Sequence, residues 1–475
     1  MNIKKFLEIE HKYNMYELEV NGVNYWEYVR FHVWNNVICS EKLDLKKTRT
    51  FGKMSVLYKI KLLLNILKQC VVYLITPKRK VDICFIDHER RVLQGNYYEC
   101  IYTEKLVEQY PNSVVLERPY NFSHLTPVKT PNLLYTDWIV LTGTLYYKIH
   151  AILKTPKYKR IYRAVEEQIA APFSEMKEAY GLQIELGKIA KLAVEKCFMC
   201  KKQYGMYEKL IKKLSPKVIV EVCHYSRQCM LINEIAKKMQ IPTLELEHGT
   251  LHEEHAAYQY ATEKKLPQLP DKILTFSDYW GYVAHMPKQG TELVAVGFPY
   301  FERQVERYKR EADHREKAIL FISQGTIGVS LSKLAVDVWQ RLKEKNIKII
   351  YKLHPAEYNT WREDYPWLID SDIEVVDNLE HNIYEYFAMS DVQIGVYSTA
   401  VYEGLGFGLK TMIYNVAFAE TMSGLIEQGY AILVNDADEV VHNLENTGHE
   451  NVSETFWKTN ALGNIKELID AELER

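Results

Sequence analysis

The sequence predicts two doubly wound α/β domains facing each other across a cleft, with a helical N-terminal extension and a helical insertion. Three observations predict it. Strand and helix patterns alternate in two separate series. Many of the strand candidates are short, unbroken apolar runs, as in a parallel sheet covered on both faces. Polar residues gather directly after those runs, at the carboxyl ends where open parallel sheets bind ligands. A length of 475 residues suits two or three domains.

Residues 1–80 precede the alternation. From Leu45 to Val81 the chain carries ten basic residues (Lys46, Lys47, Arg49, Lys53, Lys59, Lys61, Lys68, Lys78, Arg79, Lys80) and no acid. Within it Leu57, Ile60, Leu64, Leu67, Val71 and Leu74 fall at alternating spacings of three and four, one apolar stripe on a helix. Its lysines make it too polar to cross a bilayer. Two placements fit: segment 45–81 lies on an anionic membrane surface, or it packs on the first sheet with its lysines in solvent.

The first domain is expected over 81–300. Its strands are Val81–Ile86, Ser113–Leu116, Leu133–Tyr135, Lys217–Val222, Thr243–Leu246, Lys272–Phe276 and Leu293–Val296, with helices Tyr97–Gln109 and Ser226–Met239. A helical insertion fills 139–214. Gly297-Phe298-Pro299 ends this series, and the charged Glu302–Lys317 reads as a linker. The second domain, 318–450, runs through strand Ala318–Ile322, helix Val329–Lys345, strands Ile347–Leu353 and Ile373–Val376, helix Ile383–Met389, strand Val392–Val396, helix Thr399–Phe407 and strand Lys410–Tyr414. Residues 451–475 close the chain with a helix.

Composition narrows the function. With 60 basic and 62 acidic residues there is no global signal for nucleic acid. Eight scattered cysteines and no N-terminal signal sequence point to a reducing cytoplasm. The pair Cys197-Phe-Met-Cys200 lacks a second ligand pair and reads as two helix cysteines. His252, Glu253, Glu254 and His255 suit a metal in composition but not in spacing, and Asp370-Ser371-Asp372 reads as a loop. No metal and no cofactor are expected.

The chemistry collects after the strands. In the first domain these residues are His224, Glu247-His248-Gly249-Thr250 and Ser277-Asp278; in the second they are Ser323-Gln324-Gly325-Thr326, His354-Pro355 and Ser398-Thr399. Gln324, Gly325 and Thr326 precede a helix whose N-terminal amides suit an anion. His354 can donate to a phosphate oxygen and stabilise a departing nucleotide. Ser398 and Thr399 can cap the next helix and touch phosphate. Glu403, one turn further, can accept from ribose hydroxyls, or is a plain solvent-facing glutamate. Glu247 or His248 can serve as general base for an acceptor hydroxyl, with His224, Ser277 and Asp278 on the acceptor side.

The pairing of Lys352-Leu353-His354-Pro355 with Tyr397-Ser398-Thr399-Ala400 resembles the HP and S/T motifs of bacterial capsule glycosyltransferases of GT-B fold. These include polysialyltransferases, Kdo transferases and CDP-glycerol glycerophosphotransferases. Val296-Gly297-Phe298-Pro299-Tyr300-Phe301 is similar to the turn that closes their first domain, and the likeness spans about Lys217–Asn435. It implies nucleotide contacts at His354, Ser398 and Thr399. Their motif of two acids and a glycine falls on Glu247-His248-Gly249, where histidine replaces the second acid; His248-Gly249-Thr250 instead resembles the glycerophosphotransferases. The resemblance implies an inverting, metal-independent transfer from a CMP-, CDP- or UDP-linked donor to a glycan or lipid-linked acceptor. A hydrolysing UDP-GlcNAc 2-epimerase and a catalytically silent glycan-binding subunit are the alternatives.

Overall fold

Val218–Val222 and Ala318–Ile322 are buried at every position, as both faces of a covered parallel sheet require. A computed structural model of the chain describes residues 3–39, 56–120, 123–309, 318–378, 380–445 and 453–475. Lys46, Lys47, Arg49 and Lys53 of the basic segment lie outside them.

The chain divides into two units: unit 1 is Met1–Thr275, Gly281–Val296 and Leu462–Arg475, and unit 2 is Phe276–Trp280 and Gly297–Ala461. Unit 1 holds a seven-stranded sheet of β1 (Ile83–Ile86), β2 (Ser113–Glu117), β3 (Leu133–Tyr135), β4 (Val218–Val222), β5 (Thr243–Leu246), β6 (Lys272–Thr275) and β7 (Glu292–Ala295), in the order β7-β6-β5-β4-β1-β2-β3. Unit 2 holds six strands, β8 (Ala318–Ile322), β9 (Lys348–Lys352), β10 (Glu374–Val376), β11 (Val392–Gly395), β12 (Lys410–Tyr414) and β13 (Ile432–Val434), in the order β10-β9-β8-β11-β12-β13. All pairings in both sheets are parallel. Each unit is therefore doubly wound, and each reverses its strand order once. The reversals fall between β1 and β4 in unit 1 and between β8 and β11 in unit 2.

The N-terminal extension is built onto unit 1. Helix α1 (Ile3–Lys12) buries Ile3, Phe6, Ile9 and Glu10, and α2 (Glu27–His32) buries Arg30. Glu10 receives Arg30 Nε at 2.8 Å, Tyr16 Oη at 2.6 Å and Trp26 Nε1 at 2.6 Å. That satisfies a buried charge pair that would otherwise be strongly destabilising. Arg30 also donates to the carbonyls of Ala256 and, at 2.9 Å, Gln259, and Trp34 Nε1 donates to Glu254 O at 2.7 Å. The extension thus anchors the loop that follows His248.

Helix α3 (Val56–Ile75) comes next, and the insertion is three helices, α4 (Asp137–Ile152), α5 (Pro156–Tyr180) and α6 (Leu186–Leu214). Thr155 caps α5 by accepting from Tyr158 N, with Pro156 in the first turn. Cys197 and Cys200 are buried free thiols on α6, the helix cysteines the sequence suggests.

Several elements differ from expectation. The helix expected at Tyr97–Gln109 is a strand, Tyr97–Cys100, paired with Arg91–Gln94, followed by a short helix at Glu104–Val107. Gln94 pairs with Tyr97, so Gly95-Asn96 is a two-residue hairpin turn with Gly95 at φ 60°. The linker begins as a helix, Pro299–Lys309, and 310–317 lie outside the described residues. The closing helix is broken into Ser453–Phe456 and α7 (Ala461–Glu474). Gly297 has φ 99°, and a Cβ there would stand 2.2 Å from Lys458 O, so the turn ending the first series accepts only glycine.

Candidate functional site

The strand reversal of unit 2 brings three loops side by side. β8 lies between β9 and β11, with Ile322 opposite Lys352 and Phe321 opposite Ile394. The turn after β8, the His354 turn after β9 and the Ser398 cap after β11 are therefore neighbours. Ser398 Oγ accepts from Ala400 N at 3.2 Å and starts helix Thr399–Gly406; helix Gly328–Leu342 starts on the far side of the β8 turn. Two helix N-termini thus flank the reversal, each with amide groups to offer an anion.

His354 is exposed. Its Nδ1 accepts from Ala356 N at 3.2 Å, and its own N–H donates to Glu357 Oε2 at 2.7 Å. An imidazole accepting at Nδ1 carries its proton on Nε2, so the exposed ring edge offers a donor. Thr326 is exposed, and its hydroxyl bonds the Tyr397 hydroxyl, which ties the β8 turn to the end of β11. Gln324, Ser398 and Thr399 are half-buried, and Gly325 and Pro355 are exposed.

Glu357, absent from the sequence reading, holds these loops together. Its buried carboxylate accepts from Ser323 Oγ at 3.0 Å and Tyr365 Oη at 2.6 Å besides His354 N. The signal for it is the spacing His354-Pro355-Ala356-Glu357, a capping box in which the fourth residue bonds back to the first. The glycine the turn cannot lose is Gly328: a Cβ there would stand 2.0 Å from Tyr365 Oη and 2.6 Å from Glu357 Oε1. A Cβ on Gly325 would come no nearer than 3.8 Å to Glu357 Cγ. Beside this edge Lys352 is buried, its ammonium lowered to about 8 by desolvation, and it donates to Tyr358 Oη at 2.7 Å. Glu403 is also buried and accepts from Tyr384 Oη at 3.2 Å, so it is no solvent-facing glutamate.

Ser277 and Asp278 follow β6 but group with unit 2. Ser277 is buried and donates to Thr455 O at 2.7 Å, while Asp278 is exposed at the start of a six-residue helix.

In unit 1 the reversal carries a different chemistry. His88 follows β1, Cys223, His224 and Tyr225 follow β4, and Glu247 and His248 follow β5. His224 is wholly buried, with Nδ1 2.6 Å from Glu245 Oε2 and Nε2 3.1 Å from Ala257 O. Both nitrogens face acceptors. Burial opposes the charge, but Glu245 raises His224 above its ordinary value, and His224 holds Glu245 below its own. Glu245 also accepts from Tyr258 Oη at 2.9 Å, so neither nitrogen of His224 is left for an acceptor molecule.

His248 lies at the edge of that pair, its Nδ1 3.9 Å from Glu245 Oε1. Its Nε2 lies 3.0 Å from Tyr225 Oη, and Tyr102 Oη donates to its carbonyl at 2.6 Å. Burial, reinforced by His88, pushes its pKa down to about 3, so it is a neutral imidazole at ordinary pH. Burial pushes His88 to about 4 in the same way. Glu247 is buried beside it. His88, Cys223 and Tyr225 were legible only in part: His88 obeys the same strand-end rule as His248, and Cys223 ends the run that defines β4. Cys223 takes φ 68°, a strained value for a side chain of its kind, which turns the chain sharply from β4 into helix Arg227–Met239.

Among the described residues, His88, Cys223 and His248 are the group whose donor atoms converge, all within 4.8 Å of one another. Burial pushes the Cys223 thiol up to about 12, and Arg118 is near enough to act on it electrostatically. Two imidazoles and an un-ionised thiol are neutral ligands, and the nearest carboxylates, Glu89 at 3.7 Å from His88 Nε2 and Glu245 at 3.9 Å from His248 Nδ1, stand beside them. His252 and His255 do not join that group; Glu254 of the same stretch accepts from Ile3 N at 3.0 Å. Asp370 and Asp372 sit exposed in the turn before β10.

No family profile matches the chain, and no curated protein matches it by sequence. Solved structures do align. UDP-GlcNAc 2-epimerase from Methanocaldococcus jannaschii is 10% identical, with 83% of this chain and 100% of that one covered at a TM-score of 0.49. Another UDP-N-acetylglucosamine 2-epimerase is 10% identical over 84% of this chain and 97% of its own, TM-score 0.46. The wall teichoic acid polymerase TagF is 12% identical over 89% and 93%, TM-score 0.39. At these values the likenesses transfer neither a residue nor a reaction, and the fold rests on the strand order of the two sheets.

Proposed function

We propose that this chain is an inverting, metal-independent glycosyltransferase of GT-B type. It moves a sugar from a CMP-, CDP- or UDP-linked donor to a glycan or lipid-linked acceptor in bacterial surface-polysaccharide synthesis. One observation carries the reading: at the unit 2 reversal the exposed His354 edge, the Thr326 hydroxyl, the Ser398 cap and two helix N-termini lie on adjacent loops. That is a set of hydrogen-bond donors suited to phosphate oxygens on a nucleotide.

In this reading the donor phosphates rest on Gln324–Thr326, Ser398 and Thr399. The sugar–phosphate bond breaks with its electron pair leaving on the nucleotide, and the His354 Nε2 proton stabilises that charge. The acceptor oxygen forms the new bond and yields its proton to Glu247 or His248. His248 has the neutral state a base needs, and an arriving anionic substrate would raise its affinity for a proton. Glu403 and Pro355 shape the nucleotide side. The enzyme works in the cytoplasm at the inner membrane face, where a lipid-linked acceptor is found.

The test begins with binding. A thermal-shift screen of CMP, CDP, UDP, GDP and ADP is expected to give stabilisation by one pyrimidine nucleotide, lost in His354→Ala. Stabilisation by none of the five, or by the same nucleotide in His354→Ala as in the parent, overturns the donor-site assignment. Release of a free sugar from UDP-GlcNAc without an acceptor would move the protein to the epimerase alternative.

A further inference from the structure

We infer that helices α3 and α4 of unit 1 form a two-helix face that docks on an anionic bilayer surface. The inference goes beyond the transferase reading and does not rest on it.

On α3, Leu63, Leu64, Leu67, Val71, Leu74 and Ile75 are all exposed, Leu74 by 72%. At 100° per residue they fall within an arc of about 120°. The opposite side of the same helix holds the buried Ile66 and the half-buried Tyr73. Tyr73 packs against Trp138 of α4 with ring centroids 4.6 Å apart and the planes tilted by 33°, which ties the two helices together. From Trp138 a second stripe runs along α4 through Leu141, Leu145, Ile149 and Ile152, at spacings of three and four. Its outer members are exposed, Ile152 by 77%. A cavity of about 530 Å³ opens between the helices, with Leu62, Val72 and Trp138 in its walls and Lys61 and Lys68 at its edge.

Aliphatic side chains this exposed, on two adjoining helices, are uncommon unless something covers them. Charge identifies what does. Residues 56–80 carry six basic residues and no acid, and residues 138–165 carry six more and no acid, although the whole chain is nearly neutral. Apolar stripes whose exposed flanks carry cations, the one acid of α4, Asp137, being buried against His124, are complementary to an anionic interface and far less so to a protein surface of mixed charge. No helix among the described residues is long and apolar enough to cross a membrane, so these two would lie in the interface. The sequence points to the first helix alone; the second is a partner only the fold supplies.

The test uses the full chain and vesicles, with no nucleotide present, so its failure leaves the transferase reading standing. Flotation with phosphatidylglycerol-containing vesicles is expected to recover the protein at least tenfold more than with phosphatidylcholine alone, falling steeply with salt. Leu67→Asp with Val71→Asp on α3, and separately Leu145→Asp with Ile149→Asp on α4, should each weaken binding about tenfold. All four residues sit outside the packed core, so circular dichroism and melting temperature should not change. Equal recovery on neutral vesicles overturns the inference, and so does wild-type binding by the α4 pair. A parent dimer that the same substitutions convert to monomer would assign the face to a second copy of the chain and overturn it as well.

Discussion

Both sheets reverse their strand order once, and both gather polar side chains at the reversal, yet the two collections are opposites. In unit 2 the groups are exposed or half-exposed donors at helix starts, with the charged member, Glu357, buried beneath them and satisfied three times. In unit 1 Cys223 is buried and His88, His248 and Tyr225 are half-buried, and desolvation shifts the protonation of three of them: His88 near 4, His248 near 3, the Cys223 thiol near 12. Exposed donors are open to a ligand, while desolvated imidazoles are held neutral. One edge reads as a binding surface and the other as a place where a proton is handled.

Substitutions that cross this division test it. The largest effect belongs to His354→Ala, expected to cut transfer about 10²–10³-fold, the range for losing one donor to developing negative charge. His354 is exposed but caps its turn through Ala356 N, so the variant should stay folded and lose no more than one cap, about 1 kcal/mol; a variant that unfolds or keeps full turnover breaks the comparison. Next come His248→Ala and Glu247→Gln, one of which should lower turnover about 10²-fold with donor affinity intact, measured as kcat against KM. Wild-type turnover in both removes the base from unit 1.

Glu357→Ala should lower both stability and nucleotide binding, since the Ser323 and Tyr365 hydroxyls and the His354 amide lose their acceptor together. A cost of about 3 kcal/mol in denaturant unfolding is the scale for hydrogen bonds to a buried charge. Stability should also depend on pH through unit 1. His88 and His248 have folded pKa values below the ordinary 6.5, so the unfolded state binds more protons as pH falls. Their contribution is complete above about pH 6.5 and is lost on acidification toward pH 4 and below. His88→Asn with His248→Asn should flatten the fall in melting temperature between pH 7 and 5, and an unchanged slope refutes the burial argument. The smallest effect is Tyr225→Phe, which removes only the hydroxyl 3.0 Å from His248 Nε2 and should change turnover about threefold.

How much of this was legible follows from what each residue obeys. Buried strands announce themselves as apolar runs, so β4, β8, β9 and β11 and the loops after them could be found by reading alone. Polar residues after strands were recognisable as a group, but their exposure was not. His224 and His248 look alike in sequence, and only packing shows that one is locked to Glu245 while the other faces Tyr225. The burial of Glu403 was hidden for the same reason, since its packing against Tyr384 depends on a helix nineteen residues away. The hairpin at Gly95-Asn96 was readable by its turn residues and lost to the apolar spacing that follows. Glu357 shows locally only its bond back to His354 N; its bonds to Ser323 and Tyr365, like those of Arg30 to the carbonyls of Ala256 and Gln259, join residues that no local spacing displays.

Segment Leu462–Arg475 has a consequence for how the protein is made. It belongs to unit 1, where Asn464 donates to Val296 O at 2.9 Å, Tyr110 donates to Asp470 at 2.8 Å and Lys272 meets Glu472 at 3.2 Å. These partners leave the ribosome well before the helix that completes them, and all of unit 2 beyond Gly297 is synthesised in between. Unit 1 must therefore wait, partly assembled, while its neighbour is translated. At the translation rates of living cells that wait lasts on the order of ten seconds or more. During it the site of the last helix stands open to chaperones, and the later unit has time to finish first.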